Sequence, residues 1–197
     1  LFSVQYLSIS AAYAQSFKWF NAGASVHYIS EEIYPYRSNG YAFNIGLSRS
    51  FAKDRIQLGS ALRSLGEMQS LDVEATPLPK AWISGLSVGL LEWSGSKNPE
   101  LPVFMRVHAD YIYPLNENPG SAQGKFFNPN PYTKVGLELL IAETLQLTSG
   151  VRTGNTARPY SFGVGYVLPD IRFNYAIIPF DTGFGTVHSV GLQYLFK

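Results

Sequence analysis

The sequence has no cysteine, few charged residues and no long apolar run, and each absence excludes a class of protein. Without cysteine, the chain cannot form a disulfide framework or a cysteine-ligated metal site. Charged residues make up 15% of the 197 residues, against about 25% in typical soluble domains. The formal net charge is +1 and the basic residues form no cluster, which argues against nucleic acid as a partner. No run of about 18 apolar residues occurs, which excludes a transmembrane helix.

Apolar and aromatic residues are abundant, yet the chain is not hydrophobic on average. Apolar residues make up 46% of the sequence and aromatic residues 15%, while the mean hydropathy is -0.01. Glycine, serine, asparagine and threonine dilute the apolar residues. This mixture is typical of a wall with one apolar face and one polar face.

Apolar residues alternate with polar or small ones over long segments, which is the pattern of β-strands. Between Tyr41 and Phe51, for example, the odd positions are apolar except for Arg49, and the even positions are small or polar. Helical spacing is not convincing anywhere and no composition break divides the chain, so residues 1–197 are predicted to form one all-β domain. Eleven strands are predicted, at about residues 2–14, 19–30, 40–51, 55–65, 80–91, 102–113, 132–142, 144–153, 159–168, 170–179 and 186–196.

Three features favour a membrane β-barrel over a soluble sandwich, although both have one apolar face. The predicted strands are roughly 9–13 residues long, whereas soluble strands average about 5–6 and a tilted bilayer crossing needs about 9–11. Aromatic residues lie near the strand ends, at the level where a bilayer has its headgroups. Short and long connections also alternate, as periplasmic turns and external loops do. The short connections lie at 15–18, 52–54, 143 and 168–170, and the long ones at 31–39, 66–79, 114–131, 154–158 and 180–185. The connection at 92–101 is of intermediate length and falls on the side of the short ones.

The odd number of strands predicts that further strands precede this sequence. Single-chain bacterial barrels have an even number of strands. An unpaired edge at residues 2–14 would be unacceptable in lipid, because each backbone polar group there needs a partner. The opening residues also lack the features of a secretory signal peptide. An outer-membrane location therefore requires an upstream segment.

Charged residues in the middle of the predicted strands form the main candidate site. Facing lipid, each would cost roughly 2–4 kcal/mol at the bilayer midplane, so they are expected to point into the barrel. They form either a polar lumen that gates passage or a structural network, and their mixed signs favour the network because opposite charges on neighbouring strands can pair. The residues are Arg106, His108, Asp110, Lys134, Glu138, Arg152 and Arg172.

Signals for catalysis and metal binding are weak. Residues 85–89 match the G-x-S-x-G pattern of serine hydrolases, but that motif needs a strand–turn–helix elbow, and here it falls within a predicted strand. His27, His108 and His188 lie on separate predicted strands without metal-ligand spacing. We expect no enzyme activity, no metal and no cofactor.

Two long predicted loops, 66–79 and 114–131, carry apolar and aromatic residues. Exposed apolar residues on external loops are typical of binding surfaces. A loop folded over the barrel mouth would explain the same residues equally well. The first candidates for partner contacts are Met68, Leu71, Phe126 and Phe127.

The last predicted hairpin carries a family resemblance. Residues 170–181 read DIRFNYAIIPFD, and residues 185–196 read GTVHSVGLQYLF. They resemble the PorV/PorQ family of FadL-like outer-membrane proteins, whose last hairpin carries DYA-x-x-P and then G-x-T-H-R-x-S-L before a final phenylalanine. His188, Leu192 and Phe196 keep their places, whereas Asn174 stands where the family has aspartate.

An upstream segment carries the same resemblance. Residues 59–66 read GSALRSLG and are followed by PLP at 77–79, which is similar to the family's G-x-A-L-x-N-L-G and P-L-P segments, with Ser64 in the asparagine position. The resemblance implies a barrel of about 14 strands, of which about 11 are present. It also implies a role in the type IX secretion pathway of the Bacteroidetes group. Departures in the last hairpin leave the subfamily open.

The sequence leads to the hypothesis of an antiparallel up-and-down, FadL-like transmembrane β-barrel in the cell outer membrane. It would contact outer-membrane lipid and bind protein partners or cargo in secretion and surface attachment. The first alternative is a transporter of hydrophobic small molecules such as long-chain fatty acids. A further alternative is a soluble all-β binding protein.

Overall fold

Antiparallel strands account for most of the residues that the computed structural model describes, which are 4–33, 36–70, 75–95, 98–115, 130–154, 158–180, 183 and 185–195. Among these residues there is no helix, and hence none long and apolar enough to span a bilayer. The strands are β1 (Val4–Ser16), β2 (Asn21–Ile33), β3 (Tyr36–Phe51), β4 (Ile56–Ser70), β5 (Ala75–Pro77), β6 (Ala81–Gly95), β7 (Asn98–Pro114), β8 (Tyr132–Ile141), β9 (Leu145–Arg152), β10 (Tyr160–Val167), β11 (Ile171–Pro179) and β12 (Thr186–Tyr194).

The strands form one sheet in which neighbours in space are neighbours in sequence. The order is β1-β2-β3-β4-β6-β7-β8-β9-β10-β11-β12, and the short β5 pairs with β4 outside this path. The strands on the path run antiparallel. The prediction of an all-β, antiparallel, up-and-down arrangement of eleven long strands is therefore confirmed.

Two of the predicted long loops are largely strand. β2 extends to Ile33 and β3 begins at Tyr36, so the predicted loop 31–39 was wrong. In the register of this hairpin Glu32 lies opposite Arg37, and opposite charges at facing positions stabilise a ladder. Within the predicted loop 66–79, β4 continues to Ser70 and β5 follows it.

The tight connections have the geometry of hairpin turns. The N–H of Phe17 donates to the carbonyl of Phe20 at 2.8 Å, and the N–H of Thr144 donates to the carbonyl of Ile141 at 3.1 Å. Ala142 and Glu143, the two central residues of the second turn, have φ of 52° and 54°. Positive φ at both positions defines a type I′ turn, whose twist matches that of the flanking strands. The prediction of tight connections at these two places is confirmed.

The chain divides into two compact units, which we describe separately. The first unit comprises Leu1–Arg49, Leu58–Ser84 and Ile112–Pro131, and the second comprises Ser50–Gln57, Gly85–Tyr111 and Tyr132–Lys197. In the first unit, Ala42, Met68 and Leu78 form a small buried cluster against which Ile29 packs. Leu78 follows β5, so the segment after β5 folds onto the β2–β4 part of the sheet.

Candidate functional site

The sheet of the second unit has two chemically different faces. Side chains alternate along β8 to β12, and the continuous pairing registers align the alternation from strand to strand. On β7, His108 belongs to the same face as Glu138 of β8, because their side chains are hydrogen-bonded at 3.0 Å. We call this side the polar face. Its polar residues and glycines include Arg106, His108 and Asp110 on β7, Lys134, Gly136 and Glu138 on β8, Gln146, Thr148, Gly150 and Arg152 on β9, Ser161, Gly163 and Gly165 on β10, Arg172 and Asn174 on β11, and Gly191 and Gln193 on β12. The registers also place a few apolar residues on this face, among them Leu140, Val167, Ile178 and Val187.

The opposite side of the second unit, which we call its apolar face, is exposed. Phe162 is 54% exposed and Leu192 is 76% exposed. A soluble sandwich would bury such residues against a second layer. The exposed members include Val135, Leu145, Leu147, Val151, Tyr160, Phe162, Val164, Tyr166, Ile171, Phe173, Val190, Leu192 and Tyr194.

The first unit repeats this division. On β3, Phe43, Ile45 and Leu47 are 50–58% exposed, whereas Ala42 on the other face is 4% exposed. Among the described residues, the buried apolar side chains are limited to Ala42, Met68, Leu78 and Ile112, while each long strand carries exposed large apolar residues. The usual arrangement of a soluble protein is thus inverted, because the apolar side chains lie on the exposed face.

Glu138 is the centre of a hydrogen-bonded network on the polar face. One carboxylate oxygen lies 3.0 Å from Nε2 of His108, and the other accepts a hydrogen bond from Nε2 of Gln146 at 2.8 Å. Nearby, Nη2 of Arg106 donates to the backbone carbonyl of Asp54 at 3.3 Å. The three strands β7, β8 and β9 are therefore joined by side chains as well as by their backbones.

A cavity of about 480 Å³ lies at the end of this network that is closest to the β3–β4 turn. Its ionisable lining residues are of both signs: Lys53, Arg55 and Arg106, against Asp54, Glu92, Glu138 and Glu143. Arg55 and Glu92 are 3.7 Å apart, with both side chains more than half exposed, so this pair adds little to stability. Three cations against four carboxylates favour mutual neutralisation over selection of one ion sign.

Two cations stack on one aromatic ring farther along the polar face. Lys134 and Arg152 are directly opposite in the β8–β9 register, and like charges at facing positions repel. The guanidinium of Arg152 lies 3.8 Å from the centre of the Tyr132 ring, and the ammonium of Lys134 lies 5.9 Å from it. Tyr132 therefore offsets the repulsion, since a cation is attracted to an aromatic face. Both cations line a second cavity, of about 420 Å³, together with Asp110, His108 and Arg158.

Glycines on β10 make room for the polar side chains beside them. A Cβ on Gly163 would lie 2.5 Å from Oγ1 of Thr148, and one on Gly165 would lie 2.8 Å from Oδ1 of Asn174. On β6, a Cβ on Gly85 would lie 2.6 Å from Oδ1 of Asp110. The small residues of the polar face thus let neighbouring polar side chains lie flat across the sheet.

The first unit contains a polar network that sequence reasoning missed. Nδ2 of Asn44 lies 2.7 Å from Nε2 of His27 and 2.9 Å from Oγ of Ser25, and Oδ1 of Asn44 accepts a hydrogen bond from the backbone N–H of Ser64 at 2.7 Å. Ser64 has φ of 57°, which places it in a local irregularity of β4. Alternation puts Ser25, His27 and Asn44 on one face, but the irregularity at Ser64 has no signal in the sequence.

The remaining predicted site residues fall in three groups. Arg172 lies on the polar face of β11, exposed and opposite Gln193. Met68 was predicted to lie in a loop, either exposed to partners or folded over the barrel mouth, and the loop assignment was wrong. It lies on β4, which continues past the predicted loop boundary, and it is 6% exposed and packs with Ala42 and Leu78. Leu71, Phe126 and Phe127 lie outside the described residues.

The residues considered for catalysis and metal binding are also placed. Residues 85–89 lie within β6, an uninterrupted strand, so they do not form a nucleophile elbow. His188 lies on β12 opposite Ile177 and hydrogen-bonds to the hydroxyl of Tyr175 at 2.6 Å. Within the described ranges, no group of three or more His, Asp or Glu side chains is arranged to hold a metal ion.

Comparison with known proteins gives no family for this chain. No protein-family model matches the sequence, and no curated protein matches it.

Proposed function

We propose that this chain is part of an outer-membrane β-barrel of the PorV/PorQ type, which binds protein partners or cargo in type IX secretion and surface attachment and performs no catalysis. The observation that carries the membrane part is the exposed apolar face on every long strand, opposite a face of charged and hydrogen-bonded side chains. The secretion part is supported by the resemblance of residues 170–196 and 59–79 to that family.

Exposure of the apolar face favours lipid as its environment. Soluble monomers rarely expose contiguous apolar patches above a few hundred Å², whereas here the exposed apolar residues extend over the strands of both units. In water this surface would drive aggregation. Against acyl chains it is the expected composition of a barrel exterior, with alternate residues facing away from lipid.

Strand length fits a bilayer as well. β1 and β2 each have 13 residues, which at about 3.3 Å per residue and a tilt of about 45° cross roughly 30 Å, the thickness of the hydrocarbon core. Tyr13, Trp19 and Trp93 lie near strand ends and are 64–70% exposed. Aromatic side chains of this kind are enriched at the headgroup level.

The charged residues of the polar face favour a structural lining over a transport path for hydrophobic molecules. The cavities of the second unit are lined by Lys53, Arg106, Glu138, Lys134 and Arg152, among others, and a fatty-acid chain would have to desolvate these charges. Binding of protein partners or cargo at the surface is therefore the preferred function, with the charges of the polar face neutralising one another. Transport of long-chain fatty acids stays as the alternative.

Membrane insertion is tested first by extraction. The full-length protein is expected to stay with the outer-membrane pellet after alkaline carbonate treatment and to enter solution only with detergent. A periplasmic soluble protein expressed in the same cells serves as the control. Recovery of the chain in the aqueous fraction without detergent would overturn the proposal.

The secretion role is tested by its partners. Affinity purification of the full-length protein in mild detergent is expected to recover type IX secretion components or their cargo. A second outer-membrane barrel of similar size, carrying the same tag, controls for adventitious recovery. Saturable uptake of long-chain fatty acid by reconstituted vesicles, without such components, would support the transport alternative instead.

A further inference from the structure

The apolar face of the first unit contains a groove of about 890 Å³. Its floor includes the small residues Ala22, Ala24 and Gly46, and its walls include the large residues Phe17, Leu47 and Trp82. No charged side chain lines it among the described residues. The volume is in the range of pockets that hold small ligands, about 300–1,000 Å³.

The groove exists because small residues interrupt an otherwise bulky face. Ala22 lies opposite Leu47 and Ala24 opposite Ile45 in the β2–β3 register. Leu47 and Ile45 are 58% and 50% exposed, so they stand beside the hollow above the two alanines. An occupant of this hollow must itself be apolar, because its lining offers almost no polar atoms.

Two cations and a tryptophan lie close in sequence to residues that line the groove. Lys18 and Trp19 lie in the β1–β2 turn, and Arg49 lies near the end of β3. Nζ of Lys18 is 5.6 Å and Cζ of Arg49 is 5.8 Å from the ring centre of Trp19. Lys18 follows the wall residue Phe17 directly. Arg49 lies two residues beyond the wall residue Leu47 on the same face, which is about 7 Å along a strand. Tryptophan beside lysine and arginine is typical of the headgroup level of a bilayer.

We propose that this groove binds one anionic phospholipid of the surrounding bilayer, with an acyl chain in the groove and the phosphate at Lys18 and Arg49. The inference rests on the proposed membrane location. Charge complementarity selects the occupant: an apolar hollow alone would accept any acyl chain, whereas two cations close in sequence to its lining residues favour a headgroup with net negative charge. A zwitterionic phospholipid would carry its own cation to the same place.

Fluorescence quenching by brominated lipids tests this inference. The sequence has three tryptophans. Trp93→Phe leaves Trp82, which lines the groove, and Trp19, which is two residues from the lining residue Phe17. In phosphatidylcholine vesicles, brominated phosphatidylglycerol is expected to quench this variant at a mole fraction at least about fivefold lower than brominated phosphatidylcholine, since each cation near the surface contributes about that factor. The preference should weaken at high salt.

Variants distinguish the groove from a general attraction to anionic lipid. In the double variant Lys18→Gln and Arg49→Gln, the ratio of the two mole fractions should fall close to one. Arg37→Gln should preserve the preference. Arg37 is a cation at the opposite end of β3 from Arg49, and it faces Glu32. Equal quenching by the two lipids, or an equal loss in Arg37→Gln, would overturn the lipid site while leaving the membrane location intact. Absence of quenching by either lipid would overturn both.

Discussion

At the residue scale, Gly66 lies in the irregular part of β4, two residues after Ser64. This glycine has φ of 155°, and a Cβ placed on it would overlap the backbone carbonyl of Tyr41. We predict that Gly66→Ala lowers the free energy of unfolding by roughly 2–4 kcal/mol, because both overpacking and backbone strain contribute. Urea unfolding in lipid vesicles, followed by tryptophan fluorescence, measures the effect.

Gly59→Ala is the matched control for that substitution. Gly59 lies on the same strand, and the atom nearest to its Cβ would be the carbonyl oxygen of Leu47 at 3.8 Å, an ordinary contact. We expect a change within about 0.5 kcal/mol. Equal losses in the two variants would mean that β4 does not approach β3 closely at Gly66.

Glu138 offers a second test at this scale, because it joins β7, β8 and β9. Replacement by glutamine keeps the shape but removes the charge that His108 and Gln146 contact. We predict a loss of about 1–3 kcal/mol in the free energy of unfolding. Glu143→Gln, in the exposed β8–β9 turn, should have almost no effect in the same urea titration. A neutral Glu138→Gln would show that the network adds nothing to stability.

The alternation of residue types indicates which side chains share a face, but it does not indicate which of them touch. Arg106, His108 and Asp110 could be placed together from their spacing, whereas the contacts of Glu138 with His108 and Gln146 depend on the registers of two hairpins. Asn44 and Ser64 are 20 residues apart and meet because β4 departs from regular geometry at Ser64. No local pattern predicts such a departure.

At the scale of the elements, strands were predictable and their ends were less so. Glu31, Glu32 and Arg37 resemble loop residues by composition, yet the pairing of Glu32 with Arg37 makes the charges favourable within the ladder. Met68 was misplaced for a related reason: the predicted strand ended at residue 65, whereas β4 continues to Ser70 and Leu78 packs against Met68. Both errors arise where contacts between elements override local composition.

The β8–β9 turn allows a prediction about an element. Ala142 and Glu143 both adopt positive φ, which costs an L-residue roughly 1–2 kcal/mol, and Asn-Gly is the preferred pair for a type I′ turn. We predict that Ala142→Asn with Glu143→Gly raises the free energy of unfolding by about 1 kcal/mol or more. Thermal or urea unfolding of the double variant measures this gain.

The β10–β11 turn provides the control, because its chemistry differs. The N–H of Leu168 donates to the carbonyl of Ile171 at 2.8 Å, with Pro169 and Asp170 between them, and proline fixes a negative φ. Asp170→Gly there should be neutral or destabilising by up to about 1 kcal/mol, since glycine adds freedom to the unfolded chain. A similar gain at both turns would contradict the assignment of strain to Ala142 and Glu143.

At the scale of the whole molecule, the two faces have opposite requirements. Each unit exposes its apolar face and gathers its polar and small residues on the other. In water such a sheet would need a partner layer for its apolar face, whereas in lipid it needs only a filled or hydrated opposite side. The sequence pattern predicts the two faces, and that one contacts lipid while the other lines an interior stays a prediction.

A charge placed on each face in turn decides that environment. Leu147 and Thr148 are neighbours on β9; Leu147 lies on the apolar face and is 38% exposed, and Thr148 lies on the polar face. If the apolar face contacts lipid, Leu147→Lys should lower the free energy of unfolding by roughly 2–4 kcal/mol, while Thr148→Lys should change it by less than about 1 kcal/mol. In water, by contrast, a lysine at an exposed position such as 147 would be almost neutral. Urea titration of the two variants and the unsubstituted chain in vesicles gives the comparison, and indistinguishable curves for the two lysine variants would contradict lipid contact of the apolar face.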